Sequence, residues 1–203
     1  MKIVALAILL SVSLTTIAQE TAEKTNPIIF IEGMFGGGGG EFAGFVLAAT
    51  ANYQTGKHLF TARLADHRET SYTAIALGLS GLPIFTPRMR NTEYALLYGR
   101  RYTKNSVSYS FAGGFSHDKL DTKLRDDDGV VYIDSKSYQG FAYEFNIKWF
   151  KRERRPYRVY MVIPVGEPTG FGRSIGFKLC GNISGHSYFG IGITYGFGWH
   201  KYY

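Results

Sequence analysis

The chain has 203 residues, a formal charge of +7, 15 Tyr, 15 Phe and 25 Gly. Charged residues make up 19%, below the roughly 25% of soluble domains, while a mean hydropathy of -0.10 excludes a bundle of apolar spanning helices. The single cysteine, Cys180, excludes an intrachain disulfide and reads as a small buried residue, and histidines 58, 67, 117, 186 and 200 lack ligand spacing, so no metal or cofactor is expected.

Residues 1–18 read as a cleaved secretory signal. Lys2 gives the positive start, Ile3 to Leu14 the apolar run, and Thr16-Ile17-Ala18 the small residues before Gln19. The run is shorter than the ~20 residues of a spanning helix. A short segment, 19–27, leads into one β domain over 28–203.

Period-two alternation then recurs along the chain, and on a strand it sorts side chains onto two faces. The predicted strands lie near 28–36, 41–54, 57–68, 91–103, 105–117, 138–151, 171–183 and 187–200. In 44–54, Phe45, Leu47 and Tyr53 oppose Gly44, Thr50, Asn52 and Gln54. In 140–149, Phe141, Tyr143, Phe145, Ile147 and Trp149 alternate with Gly140, Ala142, Glu144, Asn146 and Lys148. The last strand is the extreme case: Phe189, Ile191, Ile193, Tyr195, Phe197 and Trp199 alternate with glycines and Thr194. Turn signals separate the strands at "GGGGG" (36–40), "QTGK" (54–57), "TKNS" (103–106) and "NISGH" (182–186). The glycine run lacks the Lys-Ser/Thr of a phosphate loop and reads as an outer turn.

A soluble barrel also alternates, but its exterior needs Lys, Glu and Asp. A minor face of glycine has no solubilising side chain, so it belongs inside a narrow closed barrel, with the bulky set facing lipid. Eight strands put both termini and the tight links 54–57 and 103–106 on the periplasmic side, with long outer segments at 69–90 and 118–137. Residues 157–165, "YRVYMVIPV", are apolar enough for another strand despite Pro164; counting them with 72–80 gives ten. "KRERRPYR" (151–158) reads as a solvated turn, touching anionic headgroups, and "EPTGFGRS" (167–174) as a tight turn.

The signal segment, alternating strands and aromatic terminus together resemble the small outer-membrane β-barrels of Gram-negative bacteria, the OmpA-membrane-domain and OmpW-like class. The likeness lies in pattern over most of the mature chain. It implies an outer-membrane location, contact with outer-membrane lipids and lipopolysaccharide, recognition of the C-terminal strand by the barrel-assembly machinery, a monomer, and no nucleic-acid partner.

On this register Glu32, Glu93 and Glu144 share the lumen with Arg63, Arg101, Lys148 and Lys178. Buried charge is costly unless paired, so the carboxylates are expected to pair with bases across neighbouring strands. Trp149, Trp199, Tyr202 and Tyr203 form an aromatic girdle. The acidic "RDDDG" (125–129) lacks the ligand spacing of a calcium loop and reads as a solvated run. Ser116-His117 and His186-Ser187, with Asp66 or Asp118 as the orienting acid, are the candidates for outer-leaflet acyl hydrolysis; neighbours on a strand point opposite ways, which counts against each pair. No enzymatic motif is evident. The expected role is an envelope-anchoring or loop-displaying barrel, with a small transport barrel and a lipid acyl hydrolase as alternatives.

Overall fold

Alternation of bulky and small residues favours extended backbone, and a bilayer leaves no open sheet edge unpaired, so the strands must close on themselves. The computed structural model describes residues 27–40, 43–77, 80–125, 131–151, 155–160, 162–169 and 171–202. The signal segment 1–18, most of the 19–27 segment, the acidic residues 126–129 and Tyr203 lie outside them. The strands are β1 (Ile28–Gly39), β2 (Ala43–Thr55), β3 (His58–Leu77), β4 (Ser80–Lys104), β5 (Val107–Arg125), β6 (Val131–Phe150), β7 (Arg155–Val159), β8 (Ile163–Thr169), β9 (Phe171–Ile183) and β10 (Tyr188–Trp199).

Eight of them form a closed antiparallel barrel in the order β1-β10-β9-β6-β5-β4-β3-β2, and β7 and β8 make a separate two-stranded sheet. The barrel is therefore eight-stranded, and the ten-strand alternative is set aside. Of the stretch 157–165, residues 157–159 and 163–165 are strand, yet they lie in a hairpin outside the ring. "EPTGFGRS" is likewise no simple turn, because Glu167–Thr169 closes β8 and Phe171–Ser174 opens β9. The basic run also contributes strand, with Arg155 to Arg158 in β7.

The described residues of the two long outer segments are strand as well. The β3–β4 ladder runs out to Leu77↔Ser80, with a register shift between Glu69 and Thr70. The β5–β6 ladder reaches Arg125↔Val131. Pro83 and Pro87 suggest a loop, but the β4–β5 register begins only at Met89↔Thr122. Above that point β4 is the edge of a ribbon, where a residue without an N–H is tolerated.

The glycine run is also ladder. Gly36 to Gly39 pair with β10 on one side and β2 on the other, so the outer turn expected there starts later. A Cβ at Gly38 or at Gly190 would lie 2.6 or 2.8 Å from Val46 Cγ2. Those two glycines leave the room that the Val46 side chain fills. The tight periplasmic turns use residues that tolerate positive φ, Gly56 at 56° and Asn105 at 56°.

The outward face is an apolar belt. Phe115 is 85% exposed and Leu96 73%, with Phe35, Phe141, Ile175 and Phe189 also open to the surroundings. Along β4 the belt lies between the outward Arg90 and Arg100. Ten residues at about 3.4 Å each, tilted about 40°, give a height of about 26 Å. That matches hydrocarbon thickness, and the closed ring with this belt is a transmembrane β-barrel of the outer-membrane kind. Trp149 meets Phe177 edge-on at 6.0 Å and Trp199 meets Phe171 at 5.5 Å near the periplasmic rim. Tyr202 joins them, its hydroxyl accepting from the Gly56 N–H at 2.9 Å. Tyr53, Phe60, Tyr98 and Tyr109 extend the girdle around the other strands.

Candidate functional site

The inward face of so narrow a ring has space only for packed side chains, and here these are polar. Glu32, Arg63, Glu93, Arg101, Glu144, Lys148 and Lys178 are all buried, at 0–5% exposure. Each sits on the parity that points away from the apolar belt.

In the middle of the lumen Glu32 of β1 takes Lys148 of β6 as one partner and Lys178 of β9 as the other, the latter at 3.1 Å. Thr50 Oγ1 donates to Glu32 Oε2 at 3.3 Å. Lys178 also lies 3.6 Å from Glu144. One level outward, Arg63 Nε donates to Glu93 Oε1 at 2.7 Å, and its Nη1 lies 3.6 Å from Glu144 Oε2. The rest of that guanidinium donates to main chain, to Tyr143 O at 2.9 Å and Gly181 O at 3.0 Å. β3 and β9 are diametrically opposite in the ring, so Arg63 crosses the whole lumen.

Two features differ from simple pairing across neighbouring strands. β1 adjoins β10 and β2, so the bases of Glu32 reach it across the interior. A narrow barrel brings non-adjacent strands as close as adjacent ones. Arg101, for its part, is held by neutral groups: Nη1 donates to Gln54 Oε1 and His200 O, both at 2.8 Å, and Nη2 to Ser108 Oγ at 3.0 Å. Its guanidinium lies over the Phe30 ring at 4.9 Å and the Phe150 ring at 5.7 Å. Ring quadrupoles and carbonyl dipoles here replace a carboxylate. Phe30 and Ile28 thus put bulk inside at the periplasmic end, where small residues were expected.

Toward the outer end the interior becomes acidic and amide-rich. Asn182 Nδ2 donates to Glu93 Oε2 at 3.0 Å and to Asp118 Oδ2 at 2.7 Å, and the Tyr188 hydroxyl donates to Glu93 Oε2 at 3.1 Å. At the mouth His186 Nε2 meets Glu69 Oε1 at 3.1 Å, and His67 stacks on Tyr188 at 4.9 Å. Asp118 and Glu69 continue the inward parity of β5 and β3. Ending those strands at 117 and 68 left Glu69 unassigned and gave Asp118 only as an orienting acid; one more residue of alternation on each strand would have put both in the lumen.

The candidate hydrolytic residues separate by face. Ser116 is buried and its Oγ donates to Asp118 at 3.2 Å, whereas His117 is exposed on the outer surface. His186 is buried and Ser187 exposed. Asp66 faces outward, bound by Arg68 and Arg90, each at 2.8 Å. Cys180 is buried, its Sγ donating to Met34 Sδ at 3.6 Å. Among the described residues no group of three His, Cys, Asp or Glu is arranged to hold a metal ion.

No family model and no curated protein matches the chain. Solved structures with a similar course include the N-terminal β-barrel domain of Pseudomonas aeruginosa OprF, 8% identical with a TM-score of 0.44, covering 85% of this chain and 98% of that one. Ail, the attachment invasion locus protein of Yersinia pestis, solved with the heparin analogue sucrose octasulfate, is 13% identical with a TM-score of 0.44 and covers 86% and 98%. Neisserial surface protein A is 12% identical with a TM-score of 0.45 and covers 86% and 97%. With every TM-score below 0.5, these likenesses add no weight to what the barrel's own geometry carries.

Proposed function

We propose that this protein is a plugged outer-membrane barrel that anchors in the envelope and holds two long outer hairpins in place, rather than a conduit. One observation carries the reading: the lumen is crossed at three levels by hydrogen bonds between opposite strands or their ends. These are Arg101 to His200 O at 2.8 Å, Arg63 to Gly181 O at 3.0 Å, and Tyr188 to Glu93 at 3.1 Å. A solute path would have to break all three while separating buried opposite charges, which costs several kcal/mol per ion. The rigid plug suits a pedestal, and both outer hairpins grow out of the barrel wall, the β5–β6 ladder without a break in register and the β3–β4 ladder with one shift at Glu69/Thr70.

Purified protein in a planar bilayer is expected to give no resolvable single-channel current. Steady conductance that rises on Arg63→Ala would make it a transport barrel instead. The reading includes no catalytic step, since each adjacent Ser–His pair is split between the two faces. Lipid A from cells with and without the protein is therefore expected to carry identical acyl chains by mass spectrometry; a missing chain would restore the hydrolase.

A further inference from the structure

The link from β6 to β9, residues 151–170, has no counterpart among the other periplasmic connections. The links 55–58 and 104–107 are tight turns, whereas this one grows the hairpin β7–β8. Its described tip residues are Val159, Tyr160, Val162 and Ile163. Tyr160 is 90% exposed and Val162 74%, with Ile163 and Val159 also exposed. A hairpin tip in water is ordinarily Gly, Asn or Asp. Tyr160 instead takes a φ of 51°, a left-handed conformation that a bulky residue adopts at a cost. The turn is closed by Val162 N–H to Val159 O at 3.2 Å.

The sequence that leads into the hairpin is as strongly patterned as its tip. Lys151, Arg152, Arg154, Arg155 and Arg158 set five positive charges against Glu153. Both ends of the link leave the barrel at the girdle, after Trp149-Phe150 and before Phe171, which packs on Trp199. Strands of five and seven residues extend about 17–23 Å at about 3.3 Å per residue, so a hairpin folded toward the membrane from the girdle spans enough to place its tip in the adjoining leaflet. An isolated two-stranded hairpin is marginal in water. Aromatic and aliphatic residues at a tip with Lys and Arg behind them are the pattern of an interfacial membrane contact.

We propose that the β7–β8 hairpin is a second membrane contact, inserting Tyr160, Val162 and Ile163 into the periplasmic leaflet while the bases of 151–158 engage anionic phospholipid headgroups. It rests on the outer-membrane reading, which sets the side on which the link lies. The hairpin ties the rim to the leaflet independently of the barrel belt. Anionic lipid is favoured by the charge at the foot.

The test uses full-length protein refolded into vesicles, with Cys180→Ala removing the native thiol. Val162→Cys carries an environment-sensitive fluorophore, and Phe145→Cys, in the belt, carries the same label in a second sample. In phosphatidylethanolamine–phosphatidylglycerol vesicles the tip label is expected to shift to the blue and to be quenched by headgroup-proximal nitroxide lipids. The shift should be largely lost in pure phosphatidylcholine and in the variant R152Q/R154Q/R155Q/R158Q. A tip label that stays water-like while the belt label is quenched overturns the proposal and leaves the barrel intact. An unquenched belt label shows instead that the membrane reading has failed. Equal quenching in neutral and anionic vesicles overturns the headgroup part. Retention of the folded protein on isolated murein, with an unquenched tip, would assign the hairpin to the cell wall.

Discussion

The middle of the lumen and its outer mouth are both buried and polar, yet the middle answers each of its carboxylates with a base, while two whole side chains at the mouth go without a hydrogen bond. In the middle each carboxylate has a base within 4 Å: Glu32 with Lys178 at 3.1 Å, Glu93 with Arg63 at 2.7 Å, and Glu144 with Arg63 at 3.6 Å. At the mouth neither ring nitrogen of His67 and neither amide atom of Asn91 has a hydrogen-bond partner. The difference follows from cost. An unpaired buried charge is far more expensive than an unpaired neutral group, so each buried charge is met by an opposite charge or, for Arg101 and Asp118, by several neutral hydrogen-bond partners. Neutral groups near the rim face a smaller penalty.

The largest effect should come from breaking the middle. Glu32→Ala leaves Lys148 and Lys178 buried without their shared partner, and removing one member of such a set costs about 3–5 kcal/mol. Urea unfolding in lipid vesicles, followed by the heat-modifiable band on gels, measures it. A loss no larger than at the mouth would break the contrast. A smaller effect is expected where packing rather than charge is at stake. Gly190→Ala presses a methyl against Val46 and should cost about 1–3 kcal/mol. Adding Val46→Ala should recover most of it, and a double variant as unstable as the single one would show that the space serves something else. The smallest change belongs to the mouth. Asn91→Leu replaces an amide whose atoms have no partner, so stability should move by less than about 1 kcal/mol, in either direction.

Where alternation was strong, the fold was legible in the residues. Gly140-Phe141 through Lys148-Trp149 assigns both faces of β6, and the glycine-threaded β10 implies a closed interior. Legibility failed where local chemistry and tertiary context disagree. Gly36 to Gly39 read as a turn because glycine favours turns, yet here glycine accommodates Val46 reaching over from β2. Segment 69–90 read as a long outer connection, yet β4 runs through Pro83 and Pro87, which its free outer edge tolerates. The inward positions of the seven lumen charges follow from parity. Which charge meets which does not, because Glu32 and Lys148 are brought together by ring closure rather than by sequence or ladder neighbours. Arg101 is a further case, since aromatic rings from β1 and β6 as partners have no signature in any short window.

Thr194 of β10 donates to Gly33 O of β1 across 161 residues of sequence. The weld between first and last strands cannot form until the final segment has been made and brought back to the first. Until then β1 and β9 carry raw backbone edges able to zip onto any passing strand. Before closure the chain is an open ribbon, and a copy that stopped short of β10 would be a nucleus for aggregation rather than a smaller barrel.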